Sequence, residues 1–234
     1  MKLVFACLLV CALCFQAGTL AIDFYYLTIE WPKSFCNSGA RISCTNVPNH
    51  FTIHGLWQEM NNGAPIPPPP VKQPFDNVQV KSDPALYQTM QQIWPGLTVT
   101  MPNEIFWKHE WDQHGAFTSF TQHDYLKIAV DRANDLGVLQ LVQELNHAAG
   151  ISIGKKYTVQ YFKSAIQAAV GLKLGRPLEM HIICNFDLSG QNKVAQIHEI
   201  WFCTDNTGLQ FINCTSKSSI RPCGPKGVYA LPLP

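Results

Sequence analysis

The stretch Phe51-Thr52-Ile53-His54-Gly55-Leu56-Trp57 decides how the rest of the chain is read. Its aromatic and β-branched residues are those of a strand. Successive side chains of a strand point to opposite faces, so His50, Thr52 and His54 share one face while Phe51 and Ile53 take the other. A histidine is thereby presented opposite the packed side, and Gly55 lets another group approach the backbone closely. Upstream, Phe24 to Trp31 reads as a second strand, and Cys36 to Cys44, with Asn37, Ser38 and Gly39 between them, as a loop. Downstream, Asn61 to Pro70 contains Pro65 and four consecutive prolines from Pro67. Such a stretch cannot donate a regular ladder of hydrogen bonds and belongs in a surface loop. Helical patterns follow over Asp83 to Trp94, Glu104 to His114, Gln122 to Leu136, Val138 to Ala149 and Thr158 to Val170. In the third, Tyr125, Ile128, Ala129 and Arg132 fall at helical spacing. Glu179 to Leu188 and Val194 to Thr204 return to the alternation of paired strands. Strands, then helices, then strands predict an α+β fold rather than an alternating α/β one.

At the N-terminus, Lys2 precedes an apolar run from Leu3 to Phe15, and Gly18, Thr19 and Ala21 suit a signal-peptidase site. Residues 1–21 are therefore expected to be a signal peptide and residues 22–234 a single domain, with the product secreted and extracellular, or vacuolar by the same route. The run is too short to span a bilayer, so no membrane role is expected. Removing residues 1–21 takes away one of 17 basic residues and leaves 16 acidic ones untouched. Such a neutral balance does not support tight nonspecific binding to duplex DNA, which needs many phosphate contacts. It is compatible with holding one short stretch of RNA. Cys7, Cys11 and Cys14 leave with the signal segment, and Cys36, Cys44, Cys184, Cys203, Cys214 and Cys223 remain. An even set in an oxidising compartment reads as three disulfides, and the absence of any CxxC pair among these six argues against structural zinc. Fifteen pairings are open to six cysteines.

A second chemistry-bearing segment is Phe106-Trp107-Lys108-His109-Glu110-Trp111-Asp112-Gln113-His114-Gly115. On a helix Glu110 and His114 are neighbours one turn apart, Gln113 lies beside them and His109 borders the same sector. Two imidazoles and a carboxylate then share one side of a short helix, which Gly115 is placed to end. The carboxylate can hold an imidazolium and raise its pKa. Trp107 and Trp111 suit either base stacking or simple core packing. His109-Glu110 also begins like the zinc-protease pattern HExxH, but that pattern needs its second histidine four residues on. Here it comes five residues on, at His114, and the zinc reading fails.

Together FTIHGLW and FWKHEWDQHG resemble the two active-site segments of the ribonuclease T(2)/S-RNase family, particularly its plant members. The resemblance extends to the early FYYLTIEWPKSFC, to the order and separation of the two segments, and to the late cysteines. It implies an α+β fold with a central antiparallel sheet, and a metal-independent endoribonuclease with no cofactor. Such an enzyme attacks a phosphodiester of single-stranded RNA with its own 2′-hydroxyl and leaves a 2′,3′-cyclic phosphate. DNA lacks that nucleophile and is not a substrate. By resemblance, His114 is the general base, His54 the general acid, His109 a phosphate ligand and Glu110 a stabiliser of the transition state. Trp57, Glu59 and Phe106 match base-contacting positions. Glu30 stands where many plant members have Gln, which weakens any prediction of base preference. The resemblance also implies the pairs Cys36–Cys44, Cys184–Cys223 and Cys203–Cys214.

Two departures stand out. Gln113 replaces the usual lysine, so a positive charge near the phosphate is lost; one preorganised stabiliser is commonly worth on the order of 10²–10³ in rate. Lys108, five residues earlier, is about 140° round the helix and a poor substitute. A slow enzyme is expected. Ala116-Phe117 stand where relatives have Thr-Cys, and the stretch from Phe51 to Glu104 has no cysteine, so both halves of one bridge are missing together. Asn213-Cys214-Thr215 is a glycosylation acceptor whose central cysteine is expected in a disulfide. A competing reading is a secreted binding or storage protein on the same scaffold with its chemistry faded. Another is an S-RNase acting in pollen self-incompatibility, with a protein partner reading Ala64 to Phe75; the near-neutral charge argues against this. A monomer is the default.

Overall fold

The computed structural model describes residues 22–39, 41–66, 73–190, 193–215, 222–224 and 227–232. The expected signal segment and residues 67–72 of the proline-rich loop lie outside them. No helix among the described residues is long and apolar enough to cross a membrane.

The strands that hold the site are β1 (Phe24–Glu30), β2 (Thr52–Glu59), β4 (Met180–Asp187) and β5 (Val194–Thr204), with short β3 (Lys156–Thr158), β6 (Phe211–Ile212) and β7 (Val228–Ala230). They form one seven-stranded sheet of order β2-β1-β5-β7-β3, with β4 and β6 also paired to β5. Its centre, β2-β1-β5-β4, is antiparallel as expected. The sheet as a whole is mixed, because β7 meets β5 in parallel at Gln196↔Ala230. The segment joining β5 to β7 is long enough for the crossover that a parallel pair demands, which no hairpin turn allows. The structure forms the disulfides Cys36–Cys44, Cys184–Cys223 and Cys203–Cys214.

The helices are α1 (Pro32–Cys36), α2 (Asn77–Lys81), α3 (Pro84–Ile93), α4 (Asn103–Gln113), α5 (Gln122–Leu136), α6 (Leu141–Ala149) and α7 (Val159–Leu174). Alternate residues of β1 (Tyr25, Leu27, Ile29) enter the main core with Phe51, Ile53, Leu56, Trp107, Trp111 and Tyr125. The other face of β1 is buried too: Phe24 and Tyr26 form a second cluster with Cys203, against which Trp57 and Trp201 pack. Trp107 and Trp111 thus resolve to core packing, their indole N–H groups donating to the carbonyls of Trp94 and Gln73. Where the lost bridge would lie, Ala116 is buried and Phe117 packs on the core, so apolar contact replaces the covalent tie.

Two short helices lie where no element was predicted, and one predicted helix start is corrected. Pro32 starts a short helix that carries the chain from β1 into the Cys36–Cys44 loop, as proline suits the first helical turn. Asp76 caps α2 by accepting from the N–H groups of Val78 and Gln79. The fourth predicted helix starts at Leu141 rather than Val138, because Gly137 at φ 67° closes α5 and the Val138 N–H returns to the Ala133 carbonyl.

Candidate active site

The alternation of β2 is interrupted where the first histidine sits. Thr28 pairs with Gly55 and Ile29 with Ile53, so His54 has no partner on β1. This bulge shifts the phase of the strand. Phe51 and Ile53 face the core before it and Leu56 after it, while His54 and Trp57 come to the same side. The helical layer fixes the segment through two carbonyls: the Trp94 indole donates to that of His54 at 2.9 Å and the Tyr125 hydroxyl to that of Leu56 at 2.9 Å. The group that approaches Gly55 is the Glu110 carboxylate. A Cβ at residue 55 would stand 2.1 Å from Glu110 Oε2 and 2.3 Å from Trp57 Nε1. The absent side chain is what lets α4 dock its acid against β2.

On α4, Glu110 is buried and accepts a hydrogen bond from the Trp57 indole at 3.0 Å. The helix stops one residue earlier than expected, at Gln113. His114 follows as the cap, its N–H still donating to the Glu110 carbonyl at 2.9 Å. Gly115 is required next, since a Cβ there would meet the Trp111 ring at 2.2 Å. His114 lays its ring on Trp57, centroids 5.4 Å apart and planes at 30°; His54 meets the same indole edge-on at 5.0 Å. Trp57 is therefore the common neighbour of both imidazoles. With Trp201 also against it at 5.3 Å, its ring is largely engaged by protein, which reduces its scope as the base platform the resemblance assigned to it.

The remaining sequence-selected residues divide between two cavities. Glu30, Phe106, His109 and His54 line one of about 240 Å³, with Phe35, Leu97, Thr98 and Met101 supplying apolar wall. Glu59 and Gln113 line another of about 300 Å³, with Gln58, Phe117 and residues 63–66. Lys108 pairs with Asp112 on the exposed side of α4 and brings no charge to either. Asn213 is exposed, and its side-chain oxygen accepts from the Glu179 N–H.

The sequence reading missed Glu199. From β5, its Oε1 accepts from His54 Nδ1 at 2.6 Å and its Oε2 from the Trp201 indole at 2.8 Å. A usable signal was present: Glu199 is the one acid in the stretch Ile197 to Cys203, which is apolar apart from Glu199 and the adjoining His198, and a charge so placed in a central strand must find a partner.

These contacts set opposite charge states on the two rings. For His54, burial alone lowers the pKa, but the Glu199 hydrogen bond and the charges of Glu30, Glu199 and Glu110 outweigh it and push the pKa up to about 10. His114 has no acid partner among the described residues; burial, then repulsion from His54 and His109, pull its pKa down to about 4. Burial raises the Glu110 carboxyl against the pull of His54 and Trp57. Burial also pushes Glu30 up to about 7, with His54 opposing and Glu199 and Glu110 adding to the rise. Glu199, although buried, is held below the usual carboxylate range by His54. Between about pH 4 and pH 10 the site thus holds one charged and one neutral imidazole, the arrangement for giving one proton and taking another. Among the described residues, Glu30, His54 and Glu199 also have atoms close enough together to hold a cation.

Residues 22–214 match the sequence model of the Ribonuclease T2 family. The extracellular ribonuclease LE of Solanum lycopersicum is 32% identical over 204 residues, covering 82% of this chain and 80% of that one. The intracellular ribonuclease LX of the same plant is 32% identical over 224 residues, covering 92% and 87%. Among solved structures, RNase NT in complex with 5′-AMP superposes with a TM-score of 0.73 at 26% identity, over 90% of this chain and 98% of that one. A match that runs from two residues before β1 to Cys214 and includes both histidine segments leaves one conclusion: this chain belongs to the Ribonuclease T2 family.

Proposed function

We propose that this chain is an endoribonuclease that cleaves single-stranded RNA by transphosphorylation. The observation that carries this reading is the pair of imidazoles on Trp57 with opposite charge environments. Neutral His114 takes the proton from the 2′-hydroxyl, whose oxygen attacks phosphorus. The bond to the 5′-oxygen breaks, and the His54 imidazolium protonates that oxygen, leaving a 2′,3′-cyclic phosphate and a free 5′-hydroxyl. Glu199 holds the ring of His54 in position and keeps it charged. His109, exposed on the wall shared with His54, binds the phosphate. Glu110 orients the site through Trp57, and Gln113 offers a neutral donor where charge accumulates. Glu30 and Phe106 contact one base and Glu59 the other. DNA, without the 2′-hydroxyl, is not cut.

Further parts of the reading rest on sequence: residues 1–21 direct secretion, residues 22–234 form a single domain acting as a monomer, and Asn213 is a glycosylation acceptor. The relatives include both an extracellular and an intracellular ribonuclease, so kinship alone does not choose the compartment. One observation favours a weakened enzyme or a binding or storage role: Gln113 carries no charge and Lys108 is occupied by Asp112. An S-RNase role would need a partner for residues 64–75, of which 67–72 lie outside the described residues. The test is digestion of RNA by the purified protein in chelator, beside His54→Ala and His114→Ala. Each substitution should lower kcat by about 10²–10⁴. Full activity in either variant, or products without cyclic phosphate ends, refutes the mechanism; no cleavage by the unmodified protein leaves the storage reading.

A further inference from the structure

We infer that Glu30, His54 and Glu199 form a binding site for a zinc-class divalent cation, and that filling it switches the catalytic acid off. One donor atom from each of the three residues lies within 4.8 Å of the others. The second observation is independent of that spacing. Glu30 is 2% exposed, and its Oε2 has no hydrogen-bond partner among the described residues. A buried carboxylate oxygen without a donor is costly, and what satisfies it is a proton or a metal cation.

The surroundings favour positive charge. Glu110 Oε1 stands 3.9 Å from His54 Nε2, so three carboxylates gather around a single imidazole. The donors also choose among cations. Magnesium and calcium take oxygen ligands alone, whereas an imidazole with two carboxylates suits zinc, which binds such atoms at about 2.0–2.2 Å. Access exists, since Glu30 and His54 line the 240 Å³ cavity and the His54 side chain is 28% exposed. Three protein donors leave a fourth position for water, the usual arrangement of an open zinc site. The separation of 2.6 Å between His54 Nδ1 and Glu199 Oε1 is that of two atoms sharing a proton. If that nitrogen takes the metal, the two must part by about half an ångström, the distance between neighbouring ligands of one zinc ion. The proton leaves for solvent as the ion enters. With the metal on Nδ1 the ring keeps one proton, on Nε2, as a neutral imidazole rather than an imidazolium, and it is a far weaker acid toward the departing 5′-oxygen. Metal-free catalysis and metal inhibition are therefore two states of one cluster. The inhibitory half of this inference rests on the proposed role of His54; the binding half does not.

The experiment titrates the purified full chain with zinc chloride by calorimetry and repeats it with Glu30→Gln, Glu199→Gln and His123→Ala. The last removes a half-buried imidazole that pairs with Asp83 and Asp124 elsewhere and reports binding outside the cluster. The expected result is one zinc per chain, bound more weakly by about tenfold or more in each glutamate variant and equally well in His123→Ala. Zinc should raise the Tm of the unmodified protein, and magnesium should not. Absence of binding, affinity unchanged in both glutamate variants, or affinity lost in His123→Ala overturns the site. RNA digestion in chelator and in zinc separates the two readings. A chain that binds zinc through Glu30 and Glu199 yet never cuts RNA keeps the site and loses the ribonuclease. A chain that cuts RNA in chelator, and is untouched by saturating zinc, keeps the ribonuclease and loses the switch.

Discussion

His54 and His114 touch the same indole and differ in almost everything else. His54 sits on a strand bulge with Glu199 on one ring nitrogen and Glu110 beyond the other. His114 caps a helix, lies flat on Trp57 and has no acid partner among the described residues, while His54 and His109 repel its proton. Burial acts on both rings in the same direction, toward neutrality; only His54 has carboxylates enough to reverse it. Identical side chains become acid and base through what the fold places around them, at a distance of a single tryptophan.

Short of removing either ring, the largest expected effect comes from widening this contrast on the His114 side. Gln113→Lys adds a cation next to His114 and, on the proposed mechanism, next to the phosphate. We expect kcat on RNA to rise by up to about 10²–10³, the worth of one preorganised stabiliser. Steady-state kinetics on a dinucleotide substrate reads this, and an unchanged or lower kcat means that residue 113 does not face the reacting phosphate.

Glu199→Gln should narrow the contrast from the His54 side. An acid catalyst works while it is protonated, so activity falls as pH rises through its pKa. Without the Glu199 charge that pKa drops, and the alkaline limb of the pH–rate profile should move down from about 10 by about 1–3 units. The acid limb, which reports His114, stays near pH 4. Equal movement of both limbs would show the two rings to titrate as one system. Stability carries the same sign: a raised His54 pKa favours the folded chain most below the histidine value of the unfolded chain, and the benefit is lost as pH climbs toward 10.

The smallest effect disturbs what the two rings share. Gly55→Ala places a Cβ against the Glu110 carboxylate and the Trp57 indole, and such overpacking costs about 1–3 kcal/mol. Urea denaturation should show that loss, with kcat reduced as well; a variant as stable and active as its parent would show that β2 and α4 have room to separate.

Much of the frame was legible in the chain. The periodicity of 24–31, 51–57, 179–188 and 194–204 marked the strands that hold the site, and five helices fell close to their predicted spans. Short elements escaped. The three-residue β7 and two-residue β6 are too brief to carry a period, and they exist because β5 offers them an edge. At the site, Gly55 foretold a close approach but not what would approach, since its visitor comes from more than fifty residues away. Glu199 escaped for the same reason: its importance lies in a contact across 145 positions. Trp57 was legible as an aromatic beside the histidine, yet its ring is turned to protein on several sides.

Residue types and their local spacing were enough to establish an α+β chain with two histidine segments, an even set of cysteines and a missing lysine. Those are properties of neighbours along the chain, where steric and hydrogen-bonding preferences act over one helical turn or one pleat. Which imidazole bears the proton was decided only by folding. A pKa depends on burial and on charges within a few ångströms, and here these come from β1, β2, α4 and β5 at once.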